Sequence, residues 1–118
     1  MSVETYYQPA YSKPIDSEYV FAYRITIENF SESTVKLLRR HWFIFDSNGV
    51  VREVEGEGVV GEQPTILPMQ NHTYVSGCHL KTELGKMSGS YLMERVEDGK
   101  KFHVQIPEFT LVAEFKLN

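Results

Sequence analysis

The residues with the most recognisable spacing form the string Gly56-Glu57-Gly58-Val59-Val60-Gly61, which has the pattern G-x-G-x-x-G. In dinucleotide-binding proteins this pattern opens a helix, so that backbone amides approach a pyrophosphate. Here Pro64 and Pro68 follow closely and disfavour that helix. The sequence therefore predicts a structured loop whose glycines permit a tight bend. The alternative is a ligand-binding or partner-binding loop formed by Gly56, Glu57, Gly58, Gly61 and Glu62.

Three glutamates, Glu53, Glu55 and Glu57, alternate along the segment that leads into this string. On a strand their carboxylates would project from one face about 7 Å apart. Such a row, with Glu62 near its end, would attract a hard divalent cation such as Mg2+, which prefers carboxylate oxygens. Because the spacing is wide for two neighbours to share one dehydrated ion, a solvated sheet face is the favoured interpretation.

Cys78 and His79 have side chains that bind Co2+, and His72 lies on the same predicted strand. Neighbours on a strand point to opposite faces, so this pair can bind one ion only if a bulge, for example at Gly77, reorients them. The chain has no second cysteine and no H-x-x-x-H spacing to support a zinc-type site. The simpler expectation is a half-buried thiol beside an exposed imidazole.

Two adjacent arginines, Arg39 and Arg40, precede His41 and the aromatic run that begins at Trp42. A guanidinium recognises phosphate or carboxylate through its planar set of N–H donors, so both arginines are candidate anion contacts. Strand alternation places Arg39 and His41 on one face and Arg40 and Trp42 on the other. The favoured role is structural, with a carboxylate holding one of the two arginines partly buried.

The pattern of apolar residues indicates that these side chains lie on β-strands. Strands are expected at residues 19–28, where apolar and polar residues alternate, and at 34–45. Asn48-Gly49 predicts a hairpin, because both central turn positions favour positive φ, with residues 50–58 returning antiparallel. Further strands are expected at 72–80, 90–96, 102–106 and 109–115, with turns at Gly85–Gly89 and Asp98-Gly99 and a break at Pro107.

Seven or eight short strands without a convincing amphipathic helix predict an all-β fold. The expected architecture is a β-sandwich of the immunoglobulin or fibronectin type III kind, and a small closed barrel is the alternative. Residues before about Lys13 are expected to form an extra edge strand or an arm. Because no linker or repeat divides the 118 residues, the chain is expected to form a single domain over residues 1–118.

The composition excludes several classes of function. The chain is 42% hydrophobic and 24% charged, with a formal net charge of -4, so electrostatic binding to nucleic acid or acidic lipid is not expected. A single cysteine excludes an internal disulfide, and no export signal or bilayer-length apolar run is present, which predicts a cytoplasmic protein. No serine lies in a nucleophile elbow, so the sequence indicates a non-enzymatic protein without catalytic residues.

Several sequence blocks closely resemble the bacterial ApaG family. They are YVFAYRITIEN at 19–29, RRHW at 39–42, VEGEGVVGEQP at 54–64, GSY at 89–91 and IPEF at 106–109. The resemblance implies an immunoglobulin-like or fibronectin type III-like sandwich. It also implies a link to Co2+ resistance and Mg2+ efflux, and a role as an interaction module, as in eukaryotic F-box and other adaptor proteins. Where a proline often follows the cysteine in the family, this chain has His79, which makes His79 a poor candidate for a family-wide metal ligand.

Two alternatives follow for the function. In the first, the protein is a binding or adaptor domain that modulates cation efflux through an unknown protein partner and has no cofactor. Sandwich edges and the aromatic arm also allow a homodimer. In the second, it binds Mg2+, Co2+ or a pyrophosphate-containing small molecule through the glutamate row, or through the glycine-rich loop near Arg39 or Arg40. The first is favoured, because a small sandwich without a transmembrane segment cannot transport an ion by itself.

Overall fold

The computed structural model describes residues 1–113, which form eight β-strands and two single-turn 3-10 helices. The two helices, Pro9–Tyr11 and Pro14–Asp16, connect the first two strands. The strands are β1 (Ser2–Tyr7), β2 (Tyr19–Glu28), β3 (Val35–Asp46), β4 (Val51–Glu57), β5 (Thr65–Ile66), β6 (Asn71–Leu80), β7 (Leu84–Arg95) and β8 (Lys100–Val112).

The strands form two antiparallel sheets that pack face to face. One sheet has the order β1-β2-β6, and the other has the order β4-β3-β7-β8 with β5 paired to the start of β3. The buried residues of both sheets form one hydrophobic cluster between them. This arrangement confirms the predicted immunoglobulin-like or fibronectin type III-like β-sandwich. The extra edge strand expected before Lys13 is β1, which pairs with β2.

A bulge in β3 decides which of its side chains face the core. Core residues lie at odd positions up to Leu37 and at even positions from Trp42 onward. The phase changes because the pairing with β7 shifts between Leu37 and Arg39, which leaves Leu38 as an extra residue. Beyond the bulge, Arg40 therefore faces the inside of the sandwich and His41 faces outward.

Trp42 joins the two sheets through aromatic contacts. Its ring meets Tyr23 of β2 edge-on at a centroid distance of 5.7 Å, and it meets Phe109 of β8 in the same way at 5.8 Å. A second link is the hydrogen bond between the hydroxyl groups of Tyr74 on β6 and Tyr91 on β7. Burial raises the pKa of both phenols, so both stay neutral at physiological pH.

The turn predicted at Gly85–Gly89 is wrong, since these residues lie within β7. The glycines of this segment permit β7 to lie close to β3, because a Cβ at Gly89 would be 2.2 Å from the carbonyl oxygen of His41. The predicted break at Pro107 is also wrong, because β8 continues through it. Its pairing with β7 shifts there, so Pro107 lies in a bulge of an edge strand, where a missing N–H is tolerated.

The hairpin between β3 and β4 forms as predicted, but its turn differs from the expected one. Only Gly49 has a positive φ, 92°, and Asn48 does not adopt the left-handed conformation. The N–H of Gly49 donates to the Asp46 carbonyl, and the N–H of Asp46 donates to the Val50 carbonyl. This pattern is typical of a three-residue loop that ends in a left-handed glycine.

The hairpin predicted at Asp98-Gly99 joins β7 to β8, and the strand predicted at 72–80 is β6. Phe115, the end of the last predicted strand, lies outside the described residues. Within residues 1–113 there is no helix with the length and apolar character required to span a membrane.

Candidate functional site

The glycine-rich string at residues 56–61 forms the end of β4 and a small hairpin after it. Val59 and Glu62 exchange two backbone hydrogen bonds, with N–O distances of 2.7 and 3.0 Å. The two residues between them, Val60 and Gly61, have φ values of 48° and 76°, as a type I′ turn requires. Gly58 has a φ of 62°, and its N–H donates to the carbonyl of Leu38.

This hairpin uses backbone groups that a phosphate-binding loop would present to a ligand. The N–H groups of Gly58, Val59 and Glu62 all donate to backbone carbonyls. The next element is the two-residue strand β5, so no helix begins after the glycines. The string therefore lacks the helix N-terminus on which a dinucleotide site depends.

Arg40 fixes this loop to β3 from the inner side of the sandwich. Its Nη1 donates to the carbonyl oxygens of Glu57 and Gly58, each at 3.0 Å. The expectation that a carboxylate holds one of the two arginines is wrong here, because the left-handed backbone at Gly58 presents carbonyl oxygens instead. Arg39 lies exposed on the opposite face, and its guanidinium has no hydrogen bond or ion pair within residues 1–113. The structure therefore does not combine the two arginines into one anion site.

His41 brings two members of the glutamate row together on the outer face of the β3–β4 hairpin. Its Nδ1 lies 3.2 Å from a carboxylate oxygen of Glu55, and its Nε2 lies 3.7 Å from one of Glu53. One donor atom from each of the three residues lies within 4.8 Å of the others. The wide spacing expected along β4 thus does not keep Glu53 and Glu55 apart, since their side chains converge on the imidazole from the next strand. Glu57 and Glu62 are outside this cluster.

Strand alternation alone does not single out His41 as a member of this cluster, but the register of the hairpin does. The register of a hairpin follows from its turn, and the pairing of Phe45 with Val51 places His41 opposite Glu55. Side chains opposite each other on a strand pair have Cβ atoms about 5 Å apart. An imidazole with two carboxylates offers one nitrogen and two oxygen donors, which suits Co2+ better than the all-oxygen shell that Mg2+ prefers.

Cys78 and His79 do not form a shared site. The pairing of β6 with β2 is continuous from Asn71 to Leu80, so Gly77 introduces no bulge. Cys78 faces the core, whereas His79 is exposed on the other face. Burial raises the pKa of the Cys78 thiol to about 11, which keeps it protonated and makes it a poor metal ligand. His72 is six residues from Cys78, about 20 Å along an extended strand.

Comparison with known proteins identifies the family of this sandwich. The family model described as the ApaG domain matches residues 9–95. The chain belongs to the ApaG family. Protein ApaG of Sinorhizobium fredii is 51% identical over 111 residues, which cover 94% of this chain and 85% of that protein. Protein ApaG of Thiobacillus denitrificans is 50% identical over 111 residues, which cover 94% of this chain and 87% of that protein.

The same fold occurs in a solved relative of this ApaG chain. A crystal structure from Bordetella pertussis, described as that of an ApaA protein, has a TM-score of 0.90 and 42% identity. The match covers 94% of this chain and 89% of that one. The resemblance to ApaG noted in the sequence is thereby confirmed. The names of these relatives state no ligand or reaction, so a functional proposal depends on the geometry of the ApaG domain itself.

Proposed function

We propose that this ApaG protein is a non-enzymatic binding or adaptor module in the cytoplasm. It acts through protein–protein contacts and influences Co2+ resistance and Mg2+ efflux through its partner. The observation that most supports this proposal is the open edge of β4. Within residues 1–113 this strand pairs with β3 alone, and six of its seven residues are exposed.

The hydrogen bonds of the β3–β4 hairpin show which backbone groups of β4 are available. The N–H of Gly58 donates to Leu38, and the carbonyl of Val50 accepts from Asp46, so even-numbered residues bond to β3. In an antiparallel pair the residues between them point their backbone groups the other way. The N–H and C=O groups of residues 51, 53 and 55 therefore face outward, whereas the carbonyl of Glu57 accepts from Arg40. An extended segment of a partner can add to such an edge as a further strand.

Charge on the outer face of β4 indicates what kind of segment would bind. Glu53, Glu55 and Glu57 alternate along the edge and are exposed. Opposite charges on neighbouring strands stabilise the pairing. We therefore expect a partner segment with lysine or arginine at alternate positions, facing these carboxylates.

Two substitutions at Glu53 test this proposal. Glu53→Pro removes an outward N–H without breaking a bond to β3, whereas Glu53→Gln keeps the N–H and removes the same charge. A photo-reactive residue at Val51 identifies the partner segment in cells, and that segment is then made as a synthetic peptide. We expect Glu53→Pro to bind the peptide at least about tenfold more weakly than Glu53→Gln does, because one backbone hydrogen bond is lost and the proline ring obstructs pairing.

Equal binding of the peptide by the two Glu53 variants would contradict strand addition at this edge. A cross-link to a second copy of the chain would replace the external partner with a homodimer. Growth on Co2+ adds a phenotypic readout, in which cells with Glu53→Gln should be more resistant than cells with Glu53→Pro.

A second candidate function, direct binding of a divalent cation, is favoured by the cluster of His41, Glu53 and Glu55. One donor atom from each residue lies within 4.8 Å of the others, which is close enough for all three to bind one ion. Titration with Co2+, followed by its visible absorption and by calorimetry, should show one saturable site that His41→Gln removes. His79→Gln removes an exposed histidine on β6 and should leave binding unchanged. Retention of the site in His41→Gln would overturn this assignment.

A further inference from the structure

The sandwich is open on the side where β4 and β6 form the edges of the two sheets. Side chains from both sheets line a cleft there with a volume of about 320 Å3. This cleft lies on the inner side of the β3–β4 hairpin, so the strands separate it from His41 and the glutamates on the outer face. Its size is at the lower end of the range for small-molecule sites.

Two guanidinium groups, those of Arg40 and Arg52, line the cleft. Arg40 contacts the carbonyls of Glu57 and Gly58 through Nη1, and Arg52 donates to the carbonyl of His79 through Nη2. A guanidinium has five N–H donors, so these contacts leave donors on both side chains unused. Neither arginine forms an ion pair with a carboxylate among residues 1–113. The cleft thus contains two guanidinium charges that no ion pair among the described residues neutralises.

Trp42 supplies a second, independent observation. It lines the same cleft and is 2% exposed, yet its buried indole Nε1–H has no hydrogen-bond partner among the described residues. Buried N–H groups in native proteins almost always have an acceptor. A ligand oxygen that reached this N–H would satisfy it, and an anionic oxygen is the acceptor that the neighbouring arginines favour.

Glycine at position 56 allows the guanidinium of Arg40 to lie in the cleft. A Cβ on Gly56 would lie 2.8 Å from both Nη1 and Nη2 of Arg40. Only a glycine therefore lets the guanidinium lie against the backbone of β4 in its present position. Because the atoms that would clash belong to the end of a flexible side chain, Gly56→Ala should displace the guanidinium while the strand stays intact.

We propose that the cleft between β4 and β6 binds a small organic oxyanion, with a carboxylate or phosphate group held by Arg40 and Arg52 beside the indole of Trp42. The apolar side chains of Ile44, Val54 and Met87 complete the lining and favour an organic body attached to the anionic group. This site goes beyond the adaptor function, since it requires no protein partner. It also differs from the glycine-rich hairpin, whose amides at Gly58, Val59 and Glu62 are bonded within the protein.

Trp42 is the single tryptophan of the chain, so its fluorescence reports directly on the cleft. The purified protein is titrated at low salt with inorganic phosphate, phenyl phosphate and phenylacetate, and with the neutral compound 2-phenylethanol as a control. We expect a saturable change with at least one anion and none with the neutral compound. Phenyl phosphate and phenylacetate distinguish a phosphate from a carboxylate preference, and inorganic phosphate shows whether the organic body contributes.

Arg52→Gln is the decisive variant, because Arg52 is exposed on an edge strand and its loss should leave the fold intact. It should weaken binding at least about tenfold, as expected for the loss of a charge-assisted hydrogen bond. Gly56→Ala should weaken binding by displacing Arg40. Arg39→Gln removes the same charge from the opposite face of β3 and should change the affinity less than about twofold.

Three results would overturn this proposal. The first is the absence of a saturable response to all three anions at millimolar concentrations. The second is an equal loss of affinity in Arg39→Gln and Arg52→Gln, which would indicate diffuse attraction to the surface. The third is binding that leaves the amide NMR signals of β4 and β6 unchanged. None of these results depends on whether a protein partner adds to the edge of β4.

Discussion

Replacing Gly58 by alanine tests whether the glycine-rich string is needed for the fold itself. Gly58 has a φ of 62°, and a Cβ there would lie 2.0 Å from the carbonyl oxygen of Glu62. The left-handed conformation costs a non-glycine residue roughly 1–2 kcal/mol. Relieving the clash moves Glu62 and breaks its two hydrogen bonds with Val59, worth about 1 kcal/mol each. Gly58→Ala should therefore lower the free energy of unfolding by about 3–4 kcal/mol.

Gly61→Ala is the matched control for this substitution. Gly61 also has a positive φ, 76°, but no atom lies within 4 Å of the position of its Cβ. Gly61→Ala should lower the free energy of unfolding only by the cost of the left-handed conformation, roughly 1–2 kcal/mol. Urea denaturation followed by Trp42 fluorescence measures both variants, and the difference corresponds to about 8 °C in melting temperature. If the two variants proved equally stable, the clash would be of no consequence, and only the conformational cost would favour glycine at position 58.

Two further predictions concern the buried tyrosine pair and an exposed carboxylate. Tyr74→Phe and Tyr91→Phe should each lower the free energy of unfolding by about 1–3 kcal/mol, since each leaves the other hydroxyl buried without its partner. The double variant should lose less than the sum, and a double-mutant cycle that proved additive would show that the hydroxyls act independently. The hydrogen bond from Arg95, with help from a backbone N–H, lowers the pKa of Asp98 to about 2, below its usual value. Asp98 should therefore stabilise the fold above about pH 4 and lose this effect as the pH falls through about 2. Denaturation over this pH range should show Asp98→Asn less stable than the parent at pH 7 and equally stable below pH 2, whereas a constant difference would contradict the pKa assignment.

The strands could be predicted from sequence because the alternation of apolar and polar residues depends only on neighbours along the chain. Alternating residues at 19–28 correspond to β2, and the turn signals at Asn48-Gly49 and Asp98-Gly99 correspond to real hairpins. Gly85–Gly89 and Pro107 were misinterpreted because glycine and proline have roles beyond turns. Their effect depends on the neighbouring strand: a glycine permits β7 to approach β3, and a bulge in β8 accommodates the proline.

The candidate sites were predictable only in part. The glutamate row and the opposite orientation of Arg39 and Arg40 follow from a period of two. The convergence of Glu53 and Glu55 on His41 follows only when the register of the hairpin is used to place side chains on neighbouring strands. The contacts of Arg40 with backbone carbonyls depend on the left-handed conformation at Gly58, and no sequence pattern indicates where its carbonyl points.

The long pairing of β7 with β8 affects how an ApaG domain can be transferred between proteins. The family match ends at residue 95, the last residue of β7, whereas Ile106 and Leu111 of β8 are 1% and 0% exposed. A fragment that ended at residue 95 would leave β7 with an unprotected backbone edge and would remove these side chains from the core. Such an edge invites aggregation. A chimaera that grafts this domain onto another protein must therefore carry the chain through at least Val112, well beyond the segment by which the family is recognised.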